Sequence, residues 1–283
     1  MSVPARTLWV GCGRLGLRAG MTLVEAGGEV HALRRDVSGL PEGFRAVPAD
    51  LTHPVDRMLP QVEAMVITLP PPDIAGGYET PLRHLAEALP QLPVRTVFVS
   101  STRVFEGYAD RADPAPVLTE EDAPQPLGDR ARSLLDGEQT ARDLFDAIVV
   151  RPAGIYGPGR DRMLRTVREG RPVAHRRRTN RIHEEDLARI LVALLEHPDP
   201  PGLLHAVDDA PARLGEVVTH IAERLELPVP PAAVPDPGHG TVLSGARRKQ
   251  LLDRLRHPDF RSGYDEVLAE AGRRPFPGGA HRA

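Results

Sequence analysis

The run Gly11-Cys12-Gly13-Arg14-Leu15-Gly16 follows the apolar stretch Thr7 to Val10 and opens an amphipathic stretch, Leu15 to Glu25. Glycines at this spacing between a strand and a helix allow a tight turn, a close backbone approach to an anion, and close helix–strand packing. The free amides of the helix start and its dipole then favour a pyrophosphate at that point. About 20 residues further on, turns of this kind place an acid on the adenosine ribose of NAD. Here that stretch reads Leu33-Arg34-Arg35-Asp36. Leu33 is no acid, whereas Arg34 and Arg35 suit charge-assisted bonds to a 2′-phosphate. The expected cofactor is therefore NADP(H) in preference, and Asp36 keeps NAD(H) open.

Other chemistries find little support. Cys12 is the only cysteine, so no intramolecular disulfide forms, and it reads as a small buried filler rather than a catalytic thiol. No Gly-x-Ser-x-Gly elbow occurs, and His175 and His183 stand far from metal-ligand spacing with any partner, so no metal is expected. The formal net charge is −3, and the basic run Arg176-Arg177-Arg178 has no interleaved aromatics, which argues against a nucleic-acid surface. No stretch approaches the roughly 18 apolar residues of a membrane span. The expectation is a cytoplasmic protein acting on a small molecule, as a monomer or a homodimer.

These residues need a scaffold, and the first half of the chain writes one. Apolar runs at Thr7 to Val10, Glu29 to Leu33, Ala46 to Val47, Ala64 to Leu69 and Thr96 to Val99 read as strands, with helices at Leu15 to Glu25 and Pro81 to Leu89. A polar, proline-rich stretch, Asp110 to Pro126, precedes a helix at Arg130 to Phe145 and a strand at Ala147 to Val150. Alternation of this kind predicts an α/β fold, a Rossmann-type doubly wound parallel sheet covering residues 1–156. Residues 157–283 read as a smaller carboxy-terminal α/β lobe of one continuous unit. It has helices near Asp161 to Glu169, Glu184 to Leu195 and Leu214 to Leu225, and a strand at Leu203 to Val207. Pro228 to Pro237 reads as an extended connector.

Four further segments carry a family resemblance: Asp50-Leu51-Thr52, Val99-Ser100-Ser101-Thr102-Arg103-Val104-Phe105, Arg151-Pro152-Ala153-Gly154-Ile155-Tyr156-Gly157-Pro158-Gly159, and Ile182-His183-Glu184-Glu185-Asp186-Leu187. Together with the glycine turn, and in this order, they resemble the extended and atypical short-chain dehydrogenase/reductases, the family that includes the NAD-dependent epimerase/dehydratases. The resemblance implies that Asp50 and Leu51 lie by the adenine. It further implies that Leu69 and Pro70 line the cofactor, that Ser100 borders it, and that Pro152, Gly154 and Ile155 approach the nicotinamide. Ser101 matches the residue that hydrogen-bonds the reacting oxygen; a hydroxyl that only satisfies the strand end is the alternative. The family's tyrosine and lysine pair would fall on Arg130 and Leu134, and the sole lysine is Lys249, so the chain resembles the atypical members with an altered dyad.

A proton donor must then come from elsewhere. Tyr108 and Tyr156 are candidates by position, with Arg103 or Arg130 as a cationic neighbour. Arg178 and Arg181 could meet an anionic substrate, or simply be solvated. His183 could act on substrate, or hold structure at a helix start rich in acids. The expected activity is hydride transfer between NADP(H) and a carbonyl or alcohol of a polar, nucleotide-sugar-like molecule. A non-catalytic NADP(H) sensor and an NAD-dependent epimerase or dehydratase are the alternatives.

Overall fold

The computed structural model describes residues 3–109, 115–236 and 238–273, so residues 110–114 of the polar stretch and Pro237 lie outside the described residues. Seven strands form one parallel sheet: β1 (Arg6–Val10), β2 (Glu29–Arg34), β3 (Phe44–Pro48), β4 (Ala64–Ile67), β5 (Arg95–Val99), β6 (Ile148–Pro152) and β7 (Leu203–Ala206). Their order is β7-β6-β5-β4-β1-β2-β3, so the chain reverses direction across the sheet between β1 and β4. Both flanking pairings of β1 are in register, Val10 lying beside Leu33 and beside Ile67. Such a reversal opens a crevice at the carboxyl ends of the strands, where doubly wound folds bind their ligands.

Strand side chains alternate between two cores. Leu8, Val10, Met65, Ile67 and Phe98 point into one core, closed by helices α2 (Glu79–Ala88) and α3 (Asp129–Phe145). Trp9, Ala64, Val66 and Val97 point into the other, closed by α1 (Arg14–Glu25) and α5 (Glu184–Glu196). This period of two, with both faces covered, is why the strands read as unbroken apolar runs. A third core joins α4 (Arg162–Arg168), α6 (Leu214–Leu225) and α8 (Phe260–Arg273) around Tyr156, Val217, Phe260 and Tyr264. A short helix, α7 (Ala246–Leu251), carries Lys249, whose Nζ lies 3.3 Å from Asp209.

Two features depart from the sequence reading. The strand at Leu203, read as part of the carboxy-terminal lobe, adds to the main sheet beside β6. Its apolar core partners lie on α5, which packs against the sheet with α1, so burial draws the strand back to that edge. Short pairings also appear that no periodicity announced, among them Gly154–Tyr156 running parallel to Arg181–His183. Segments of three residues are too short to show a period.

Candidate active site

The glycine turn sits at the head of the crevice. Gly11 has φ +76°, and a Cβ there would lie 3.1 Å from the Leu69 side chain and 3.2 Å from its backbone nitrogen. A Cβ on Gly16 would fall 2.6 Å from the Trp9 ring, so only glycine lets α1 lie this close to β1. Gly13 differs, because the nearest atom to its Cβ would be 3.8 Å away and its backbone is extended. The protein thus has no steric need for glycine at 13, but an anion approaching the helix start does. Gly13 is the residue before the first turn of α1 and supplies no side-chain cap, which leaves the first-turn amides facing the crevice. The residues present therefore fit a dinucleotide pyrophosphate. Burial pushes the Cys12 thiol up to about 11, against a smaller opposing pull from Arg34, so it stays a protonated filler.

Three adjoining clefts run along the carboxyl ends of the strands. The first, of about 820 Å³, is walled by Leu33, Arg34, Arg35 and Asp36 at the end of β2, by Asp50 and Leu51 after β3, and by Leu69 and Pro70 after β4. Arg34 is folded back on its own loop, donating to the carbonyls of Asp36, Cys12 (3.3 Å) and Ser38 (3.4 Å). Arg35 is exposed at the rim of the same cleft. Asp50 accepts from the Thr52 amide at 3.0 Å and hydroxyl at 2.8 Å, and these bonds hold its carboxyl below the usual range.

The middle cleft brings together Arg14, Leu15, Gly16, Leu69, Pro70, Ser100, Ser101, Pro152 and Ile155. Arg130 and Leu134, the two positions matching the family's tyrosine and lysine, line it as well. Ser101 precedes a 3-10 turn, Thr102–Tyr108, and its Oγ accepts from the Arg103 amide at 3.2 Å, leaving the hydroxyl proton for another partner. Beneath it, Ser100 donates to Glu138 at 2.7 Å, and Arg151 grips the same carboxylate through two bonds of 2.9 and 2.7 Å. Glu138 and Arg151 are almost wholly buried, so removing either partner costs about 3–5 kcal/mol and releases the floor under Ser101.

The third cleft, of about 720 Å³, shares Ser101, Arg103, Ile155 and Arg160 with the second. Gly154, Arg162, Arg165, Arg177, Arg178, Arg181 and Tyr264 add to its wall. Arg178 donates to the Gly238 carbonyl at 2.7 Å, and Arg181, buried, donates to Thr179 Oγ1 at 2.6 Å. Desolvation pushes the Asp208 carboxyl behind Arg181 up to about 7.

Two candidates, Tyr108 and His183, stand apart from these clefts, and a third, Tyr156, lines one with its hydroxyl turned away. Tyr108 is buried with its ring against Phe105, and its hydroxyl donates to the Ala123 carbonyl at 2.9 Å, so its proton is directed into the protein. Tyr156 does line the third cleft, but its hydroxyl donates to the Asp259 carbonyl at 3.1 Å and burial pushes its pKa up, which makes it a poor acid. His183, read as either meeting the substrate or holding the helix start, is fully buried, its ring tilted against that of His257 at 3.9 Å and edge-on to Tyr156 at 5.1 Å, away from the clefts. Burial, followed by the neighbouring His257, pushes it down to about 4.

The expectation that His183 lacks any partner at metal-ligand spacing also needs correction. Its ligand atoms and those of Glu185 and His257 lie within 4.8 Å of one another, because the fold returns residue 257 to the start of α5. His257 Nε2 lies 3.1 Å from Glu266 and 3.5 Å from Glu185, while His183 Nδ1 already accepts from the Glu185 amide.

Sequence reasoning passed over Tyr78, Arg160, Arg162 and Arg165 as cleft residues. Arg160 had a signal, since it directly follows the quoted Gly157-Pro158-Gly159. Tyr78, whose hydroxyl donates to the Leu69 carbonyl at 2.9 Å, had none.

Comparison with known proteins agrees with this architecture. The family model described as the RmlD substrate binding domain matches residues 79–270. The dTDP-4-dehydrorhamnose reductase of Mycobacterium tuberculosis (strain ATCC 25618 / H37Rv) is 32% identical over 206 residues, which cover 66% of this chain and 66% of that protein. The chain therefore spans slightly under two thirds of that relative's length. A Methylobacillus flagellatus protein described as a NAD-dependent epimerase/dehydratase superposes with a TM-score of 0.78 at 29% identity, over 95% of this chain and 99% of the other. Human epimerase family protein SDR39U1, solved with NADPH, has a TM-score of 0.76 at 19% identity over 93% of this chain and 99% of its own, a likeness of fold.

Proposed function

The chain belongs to the RmlD substrate-binding-domain family, and from that premise we propose that it is an NADP(H)-dependent oxidoreductase acting on a carbonyl or alcohol of a sugar nucleotide or a similarly anionic small molecule. The observation that carries this reading is the continuous trough in which a glycine turn, Ser101 and an arginine-walled cleft follow one another along the strand ends. Bound in the first two clefts, the dinucleotide supplies or accepts hydride at its nicotinamide ring. Gly11 to Gly16 hold its pyrophosphate, Asp50, Leu51, Leu69 and Pro70 border the adenosine half, and Pro152 and Ile155 border the nicotinamide.

Ser101 hydrogen-bonds the reacting oxygen with the proton its own turn leaves unused. Arg103, Arg130 and Arg160, in the same cleft, stabilise the negative charge that develops on that oxygen. This takes over the electrostatic part of the role that the family's tyrosine and lysine play, and water in the open cleft completes the alcohol by donating the proton. Arg178 and the neighbouring arginines meet the substrate's phosphates. The preference for NADP(H) rests on Arg35, which is exposed at the ribose end, while Arg34 shapes the loop that carries it.

Two measurements test this. Calorimetric titration should give tighter binding of NADPH than NADH, and Arg35→Ala should abolish the difference while leaving NADH binding intact. Loss of NADPH absorbance should then follow addition of one member of a panel of keto-sugar nucleotides, and Ser101→Ala should slow it by about a hundredfold. Equal affinities for the two cofactors would sink the NADP(H) assignment. Tight binding with no turnover across the panel would favour a non-catalytic sensor.

A further inference from the structure

Glu184 opens α5, yet its side chain is only 2% exposed and three guanidinium groups converge on it. Arg160 Nε lies 2.7 Å from one carboxylate oxygen, and Arg14 and Arg18 lie 3.1 and 3.2 Å from the other. Burial alone would raise the carboxyl, but the bond from Arg160 and the charges of Arg14 and Arg18 outweigh it and keep Glu184 ionised. One negative charge among three positive ones leaves the cluster cationic.

The three arginines come from different parts of the site. Arg14 belongs to the glycine turn and Arg18 to the next turn of α1, whereas Arg160 lines both the middle cleft and the arginine-walled cleft. Arg14 also donates to the Gly159 carbonyl at 2.8 Å and to the Pro158 carbonyl. The chain leaves room for these contacts. A Cβ on Gly157 would lie 2.7 Å from Glu184 Cγ, and one on Gly159 would lie 2.8 Å from the Arg14 guanidinium. Both glycines have positive φ, +147° and +73°, so this loop is shaped around the cluster. The turn that faces the pyrophosphate is thereby tied, through one buried carboxylate, to the loop that carries a substrate-cleft arginine.

We propose that Glu184 is a positioning residue that couples the two ends of the trough: a dinucleotide engaged by Arg14 at the glycine turn orders the 157–160 loop and sets Arg160 for an anionic substrate. The inference rests on the cofactor reading above. In free energy, such coupling makes the second ligand cheaper to bind because the first has already ordered the shared segment.

Amide hydrogen exchange with NADPH as the probe tests it. In the unaltered protein NADPH should slow exchange across residues 157–165 by at least about fivefold, along with the glycine turn itself. In Glu184→Gln, NADPH should still protect the glycine turn but no longer protect 157–165. Arg18→Gln removes a half-exposed partner of Glu184 that lines none of the three clefts, so it provides a second test should Glu184→Gln fail to fold, and it should weaken protection of 157–165 while leaving that of the glycine turn. Undiminished protection of 157–165 in these variants, or none in the unaltered protein while NADPH binds, overturns the proposal. Calorimetry that finds no NADPH binding to the unaltered protein would overturn the cofactor reading and this inference with it.

Discussion

The two ends of the trough are built by opposite means. At the cofactor end the backbone does most of the work: Gly11 turns on a positive φ, Gly16 admits the Trp9 ring, and Gly13 leaves open space before the amides of α1. At the substrate end the work falls to long side chains, Arg103, Arg160, Arg162, Arg178 and Arg181, drawn from separate segments, with the buried Glu184 carboxylate steering Arg160 and the Gly238 carbonyl steering Arg178. A site made of backbone is local in sequence and rigid. One made of arginines is assembled by the fold and depends on what holds each guanidinium.

The comparison breaks most sharply at Gly13. Its backbone suits any residue and its Cβ would meet no clash, so Gly13→Val should fold with an almost unchanged Tm. The added side chain would occupy the anion's approach, and NADPH affinity should fall about a hundredfold, a loss of about 2.7 kcal/mol, in a calorimetric titration. If NADPH binds Gly13→Val as well as it binds the unaltered protein, the pyrophosphate is not held there.

A smaller effect is expected at the other end. Arg178→Ala removes one of several cations, so binding of UDP, used as an anionic probe, should weaken about tenfold, or about 1.4 kcal/mol, with NADPH affinity unchanged. A uniform loss of both ligands would show that Arg178 supports the fold rather than the cleft.

The smallest expected effect concerns pH and again separates the two ends. Asp36 and Asp50, beside the cofactor cleft, are held below their ordinary range by local hydrogen bonds and keep their charge at mildly acid pH. Behind the substrate cleft, burial pushes His183 and His205 down to about 4 and Asp208 up to about 7. Between those limits and the ordinary histidine value, the unfolded chain binds two protons on the histidines that the folded protein refuses. The folded protein binds one on Asp208 that the unfolded chain lacks. The histidines therefore destabilise as pH falls through this window and Asp208 stabilises, leaving a net excess of one proton in the unfolded chain. Stability should therefore drop as the pH falls from roughly 6 to roughly 5, read as a falling Tm. His205→Phe should remove most of that slope; a slope that survives unchanged would exclude His205 as its source.

Much of this was legible beforehand, for identifiable reasons. The strands of the main sheet and helices α1, α3, α5 and α6 declared themselves because long apolar runs and helical periods report burial directly. The glycine turn was readable because its three glycines act on immediate neighbours in the chain. Tyr78 and the buried partnership of Glu138 with Arg151 were not read, since nothing within a few residues marks what each will face, and the signal at Arg160, directly after Gly159, was passed over.

The order of residues along the chain already sets the doubly wound fold, the place of the glycine turn and the lack of a lysine in the helix Asp129–Phe145. Tertiary structure alone decided that His183 would be walled in beside His257, that Tyr108 would turn its hydroxyl to Ala123, and that Glu184 would gather arginines from both ends of the trough. The physical reason is range. Turn geometry and periodic burial are set by neighbouring residues, whereas the burial and charge environment of a side chain depends on segments from 15 to 170 residues away that only packing brings together.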